Sequence, residues 1–152
     1  MPDHFHFLLE EITDRGIAKF MQRFCGSMTM HFNAKYKESG SIFQGAYKAR
    51  TVDTNEDLQY VLPYIVVKNV LELYPGGLKK AIREFDHAWN WAKTYPFSSF
   101  QTTVLDKDSP IIDKKHLKKL DIPNNHFKKQ AYSMLLGYIE RRGTRDLLLE
   151  KR

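Results

Sequence analysis

The chain has 152 residues, a formal net charge of +6, 42% hydrophobic and 28% charged side chains; this suits one domain with a real core and excludes wholesale disorder. The positive excess points to an anionic partner, for which nucleic acid is the usual choice. A single cysteine, Cys25, excludes an internal disulfide and a cysteine-built zinc site; the acidic start does not read as a secretory leader and no apolar run reaches membrane-span length, so a cytoplasmic protein without a membrane partner is expected.

Residues 4–11 alternate as a strand would, with His4, His6 and Leu8 on one face and Phe5, Phe7 and Leu9 on the other. Ile17, Phe20, Met21, Phe24, Met28 and Phe32 then follow three- and four-residue steps. They predict a helix from near Arg15 to near Lys37 that stops at Ser39-Gly40, with this stripe as core. Residues 41–53 read as loop and then strand, with Lys48 and Arg50 on one face, where they serve either as phosphate contacts or as solvated charges. Thr54-Asn-Glu-Asp57 approximates a capping box and opens a helix with Leu58, Val61, Leu62 and Ile65 inward; Pro63 predicts a kink or break within it. Tyr74-Pro-Gly-Gly77 is a turn, and residues 78–94 form a further helical pattern with Leu78, Ile82, Phe85, Trp89 and Ala92 inward. The pieces 94–100 and 106–110 read as loop. From Asp113 the chain becomes basic, with Lys114, Lys115, Lys118, Lys119, Lys128, Lys129, Arg141, Arg142 and Arg145. Pro123-Asn-Asn125 separates two helical patterns there, the second near 126–142 with Phe127, Ala131, Leu135 and Tyr138 on one stripe.

Two features could carry chemistry. On a strand, His4 and His6 share a face, so both imidazoles could reach one divalent ion; a third ligand is needed to complete such a site, and an ordinary strand could carry the same pair. A tyrosine is a weak nucleophile at its ordinary pKa of roughly 10, yet it can attack a phosphodiester where a cation stabilises charge on the phosphate oxygens. Tyr64, with Tyr60 one helical turn before it, is either such a nucleophile or a half-buried tyrosine of an amphipathic helix.

The segments MPDHFHFLLEE, GIAKFMQRF, HFNAKYKESGSIFQGAYKAR and LQYVLPYIVVKNVLELYPGG, in this order and spacing, closely resemble the single-tyrosine HUH transposases, above all the REP-associated tyrosine transposase branch and its insertion-sequence relatives. HUH denotes two histidines flanking a hydrophobic residue, as in His4-Phe5-His6. The resemblance extends to WNWAKTYPFSSF, near residue 100. It implies an α/β fold, an incomplete ferredoxin-like antiparallel sheet with packed helices, in a catalytic domain over residues 1–100, followed by a basic helical extension over 101–152. It implies binding of single-stranded or hairpin DNA, and a divalent ion, Mg²⁺ or Mn²⁺, held by His4, His6 and an amide side chain of the tyrosine helix. Tyr64 then matches the nucleophile that forms a 5′-phosphotyrosine and frees a 3′-OH, with Tyr60 as the alternative. Gln44, Lys48 and Arg50 match the family's FQG-YK segment and are implied DNA contacts. Relatives occur as monomers and as homodimers.

Three departures accompany the resemblance. The family's amide usually stands four residues after the tyrosine, where this chain has Lys68; Asn69 comes fifth. On a regular helix Asn69 would lie about 140° from Tyr64 and Lys68 about 40°. Either the helix ends or distorts before Asn69, or Lys68 acts as a cation near the phosphate, or the third ligand is lost. Ala46 stands where the family commonly has arginine. The histidine motif also lies inside the family's domain, behind a strand and a helix, whereas here it is N-terminal; a truncated chain with an open sheet edge is expected. Two further readings therefore compete with a transposase-type enzyme: an inactive remnant that binds hairpin or single-stranded DNA, and a small α/β domain whose histidines are structural.

Overall fold

The computed structural model describes residues 4–119 and 126–149. All regular secondary structure among the described residues is helical. This corrects the expected α/β fold: no strand and no ferredoxin-like sheet forms among the described residues. Residues 4–11 and 41–53 carry the period of strands but run as coil, with bends at 42–46. A strand exists only as a member of a ladder, whereas a helix satisfies its backbone groups internally. Period-two patterning thus prepares a face for a sheet without creating one. The Pro123-Asn-Asn125 separator lies outside the described residues.

The chain divides into two compact units. One comprises Leu8–Thr51 and is built on α1 (Gly16–Tyr36). The Ile17 N–H donates to Glu11 Oε1 at 3.3 Å at its start. It ends at Tyr36, four residues before the expected Gly40, because Lys37 itself turns left-handed with φ 56° and its N–H reaches Asn33 O. The Asn33 side-chain amide then donates to Gly40 O at 2.9 Å, where Gly40 takes φ 90°. Of the stripe expected as core, only Met21 is buried; Phe20, Met28 and Phe32 are exposed. Aromatic rings along the helix pack on one another instead, Phe20 on Phe24 at 5.7 Å and Phe32 on Tyr36 at 4.6 Å.

The other unit joins the N-terminal segment through Phe7 to the chain from Val52 onward. Helix α2 (Asn55–Pro63) starts as its sequence demands: Thr54 Oγ1 accepts the Asp57 N–H at 3.1 Å, with Glu56 and Asp57 in the positive first turn. Pro63 ends it. The chain then enters a π-helical turn, Tyr64–Lys68, in which the Asn69 N–H bonds to Tyr64 O, five residues back. A short α3 (Asn69–Leu71) continues the path, and Gly76, at φ 92°, makes the left-handed step into α4 (Gly77–Arg83). The pattern expected as one helix over 78–94 breaks at Glu84 into α4 and α5 (Phe85–Ala92). Helices α6 (Phe100–Leu105), α7 (Lys114–Lys119) and α8 (Phe127–Leu149) complete the unit.

The core lies around the π-helical turn. Val67, Leu71, Ala88, Ala92, Phe100 and Leu135 are fully buried in one cluster. Trp89 stands edge-on to Phe100 at 4.9 Å. Helix α8 enters this cluster through Phe127, Ala131, Met134 and Leu135, positions three and four apart on one face. That docking carries the residues further along α8 to the tyrosine helix. Truncating Phe100 to alanine should cost about 3–5 kcal/mol, and Thr54→Ala about 1 kcal/mol, both read from urea unfolding midpoints.

Candidate active site

Tyr64 opens the π-helical turn, and its ring is half-buried. The His6 ring meets it nearly perpendicularly, with centroids 5.6 Å apart. His4 in turn meets His6 at 5.1 Å, again nearly perpendicular. The two imidazoles and the phenol, separated by nearly sixty positions in sequence, therefore form one continuous cluster, with both histidines exposed to an incoming ligand.

Lys68 closes the inner side. Its Nζ lies 4.7 Å from the Tyr64 ring centroid and 5.0 Å from that of Tyr138, and 2.6 Å from Glu72 Oε1. The residue is only 2% exposed. Burial works against its charge, but the hydrogen bond and the negative charge of Glu72 outweigh this, and the Lys68 pKa lies above its ordinary value. The Lys68 ammonium is thus a fixed cation beneath Tyr64. His6 shifts the other way: burial, then His4 and the Lys68 charge, lower its pKa. The shift favours the neutral imidazole over the charged one.

Tyr60 has a different environment. The Arg141 Nη2 donates to its hydroxyl at 2.9 Å, and the guanidinium lies 5.1 Å from its ring centroid. Its oxygen is engaged by an arginine while Tyr64 faces the histidines, which separates the two tyrosines that the sequence leaves as alternatives.

Asn69 comes directly after the π-helical turn. In an α-helix the residue whose N–H bonds to the carbonyl of residue i is i+4; here the Asn69 N–H makes that bond to Tyr64 from i+5. The extra residue is absorbed, and Asn69 holds the backbone register to Tyr64 that a fourth residue would hold in an uninterrupted helix. Its Oδ1 is buried and has no hydrogen-bond partner. Such an orphaned amide oxygen is costly unless a ligand satisfies it. Among the described residues no group of three or more His, Cys, Asp or Glu side chains could hold a metal.

The structure brings together His4, His6, Tyr64 and Lys68. Gln44, Lys48 and Arg50 belong to the other unit, where they are exposed in coil. Sequence reading missed Glu72, Tyr138 and Arg141 as neighbours of the tyrosines. Glu72 was open to detection as the helical i+4 partner of Lys68. Tyr138 and Arg141 stand one turn apart on α8.

With a folded pKa below the ordinary 6.5, His6 takes up its proton more readily in the unfolded chain. Its contribution to stability is full above that value and is lost as the pH falls through the lowered one. Between about pH 7 and about pH 5 the urea midpoint should therefore fall further in the wild type than in His6→Gln.

Among known proteins, residues 1–68 match the family model described as transposase IS200 like. No curated protein and no solved structure matches the chain. No helix among the described residues is long and apolar enough to cross a membrane. The matched stretch begins before His4 and ends on Lys68, so it spans the histidine pair and Tyr64. Over that stretch, which is less than half of the chain, the sequence is similar to IS200-like transposases.

Proposed function

We propose that this chain cleaves and rejoins single-stranded DNA, beside a hairpin where one is present, with Tyr64 as nucleophile. Support comes from one observation above all: the His6 ring lies against the Tyr64 ring at 5.6 Å, with His4 next to it. A phosphate approaching the exposed histidines would thereby come within reach of the phenol. Tyr64 Oη bonds to phosphorus, the bond to the 3′ oxygen breaks, and the proton given up by the phenol is balanced on the released 3′-OH. The 5′-phosphotyrosine retains the phosphodiester energy, so a 3′-OH can reverse the step at a new junction.

His4, His6 and the Asn69 Oδ1 would hold Mg²⁺ or Mn²⁺. When bound, that ion supplies Lewis-acid polarisation of the phosphate and orients it. The chain's own residues do the rest. Burial, His4 and the Lys68 charge disfavour protonation of His6. Lys68 adds fixed positive charge behind the phenol. Gln44, Lys48 and Arg50 are proposed DNA contacts through base edges and phosphates.

Labelled single-stranded DNA incubated with the protein and Mn²⁺ should give a covalent adduct. Tyr64→Phe should abolish it, Tyr60→Phe should retain it, and His4→Ala with His6→Ala should lose it. An adduct that persists in Tyr64→Phe removes Tyr64 from the role. Salt-dependent binding without any adduct would instead make this chain an inactive remnant that holds hairpin or single-stranded DNA.

A further inference from the structure

Lys68 poses an energetic problem that the cleavage reaction alone does not explain. An ammonium at 2% exposure loses nearly all its hydration, which is expensive unless the surroundings replace it. Here the replacement is complete: Glu72 Oε1 at 2.6 Å, and the π faces of Tyr64 at 4.7 Å and Tyr138 at 5.0 Å. A lysine needed only to fill space would be outperformed by methionine or leucine, since a buried ion pair is often no more stable than an apolar replacement. Lys68 does what those side chains cannot. It attracts the face of the Tyr64 ring from a fixed point, and that point is itself fixed by Glu72, four residues further on, and by Tyr138 on α8. The Tyr64 and Tyr138 rings are 6.0 Å apart and inclined by 64°, so the second ring also limits the swing of the first.

We infer that Lys68 and Tyr138 are positioning residues for Tyr64: the Glu72-anchored ammonium, enclosed between the two phenol rings, holds the Tyr64 side chain in the orientation that meets His6. The inference rests on Tyr64 being the nucleophile. It extends the functional site beyond the family-matched residues 1–68, because Tyr138 comes from α8. Helix α8 is thus part of the site and not merely a basic appendage. Its buried face docks on the core, and the turn beyond that face delivers Tyr138 to Lys68.

The test separates positioning from stability and from DNA binding. Single-turnover adduct formation is measured at saturating single-stranded DNA with Mn²⁺, alongside DNA affinity by anisotropy and unfolding midpoints. Lys68→Met should slow the covalent step by roughly tenfold or more. Its DNA affinity should stay within about twofold, and the paired variant Lys68→Met with Glu72→Gln should unfold at or above the wild-type midpoint. Lys68→Arg should recover part of the rate and Tyr138→Phe most of it, since both retain the cation–ring contact; Tyr138→Ala should not. A wild-type rate in Lys68→Met overturns the inference, as does a loss matched by weaker DNA binding. Spectra of ring-labelled tyrosine decide it without any reaction. The Tyr64 ring signals should shift and average in Lys68→Met and hold in Tyr138→Phe; signals unchanged in Lys68→Met overturn it. Should the wild type form no adduct, the nucleophile assignment fails while these spectra still report whether Lys68 orients the ring.

Discussion

Five residues close the turn after Pro63, where an α-helix would use four, and the arrangement of the site depends on that one change. Proline contributes no N–H, so one bond is missing from the series, which Tyr64 takes up again with its N–H on Tyr60 O. The wider step follows, with the Asn69 N–H on Tyr64 O. Tyr64 then heads the turn, Lys68 lies beneath it within the core, and Asn69 takes the backbone position that the fourth residue would otherwise occupy. An insertion of one residue would normally rotate everything beyond it by about 100° around the helix axis. A π-helical turn absorbs most of that rotation locally, and such turns are frequent at functional sites.

The same turn accounts for the ordering of charge. A lysine one residue before the amide would, on a straight exposed helix, project toward the ligand and repel a metal ion. Here it is drawn inward to Glu72, Tyr64 and Tyr138, and its charge is shared with a carboxylate. Its charge also lowers the His6 pKa, after burial and His4, which contribute more. Arg141 performs a parallel task one helical turn earlier by engaging the Tyr60 hydroxyl. Two residues of α8 thereby give the two tyrosines of α2 and the π-helical turn distinct environments.

Local chemistry was legible in the sequence wherever a few neighbouring residues decide it. The Thr54 cap, the disruption at Pro63, the turn at Tyr74-Pro-Gly-Gly77 and the stripe Phe127, Ala131 and Leu135 could all be read in this way. The three outcomes open at Lys68 and Asn69 could also be enumerated, and a distorted helix is among them. The expected sheet does not form among the described residues, because a strand depends on a second segment and periodicity describes only the first. The half-exposed stripe of α1 has the same origin: an apolar face is core only when something covers it. Tyr138 and Arg141 were hidden for another reason, since their roles depend on where α8 docks, some seventy to eighty positions from the residues they touch.

The similarity of residues 1–68 to IS200-like transposases and a histidine pair beside a tyrosine converge on one geometric requirement: His6 and Tyr64 must touch in solution. The most direct measurement is a nuclear Overhauser spectrum of the protein with labelled histidine and tyrosine rings. Cross-peaks between the His6 ring protons and the Tyr64 ring protons are expected, with a second set linking His6 to His4. A spectrum in which His6 shows contacts to other side chains and none to Tyr64 would contradict the assignment of this cluster as the site of strand cleavage.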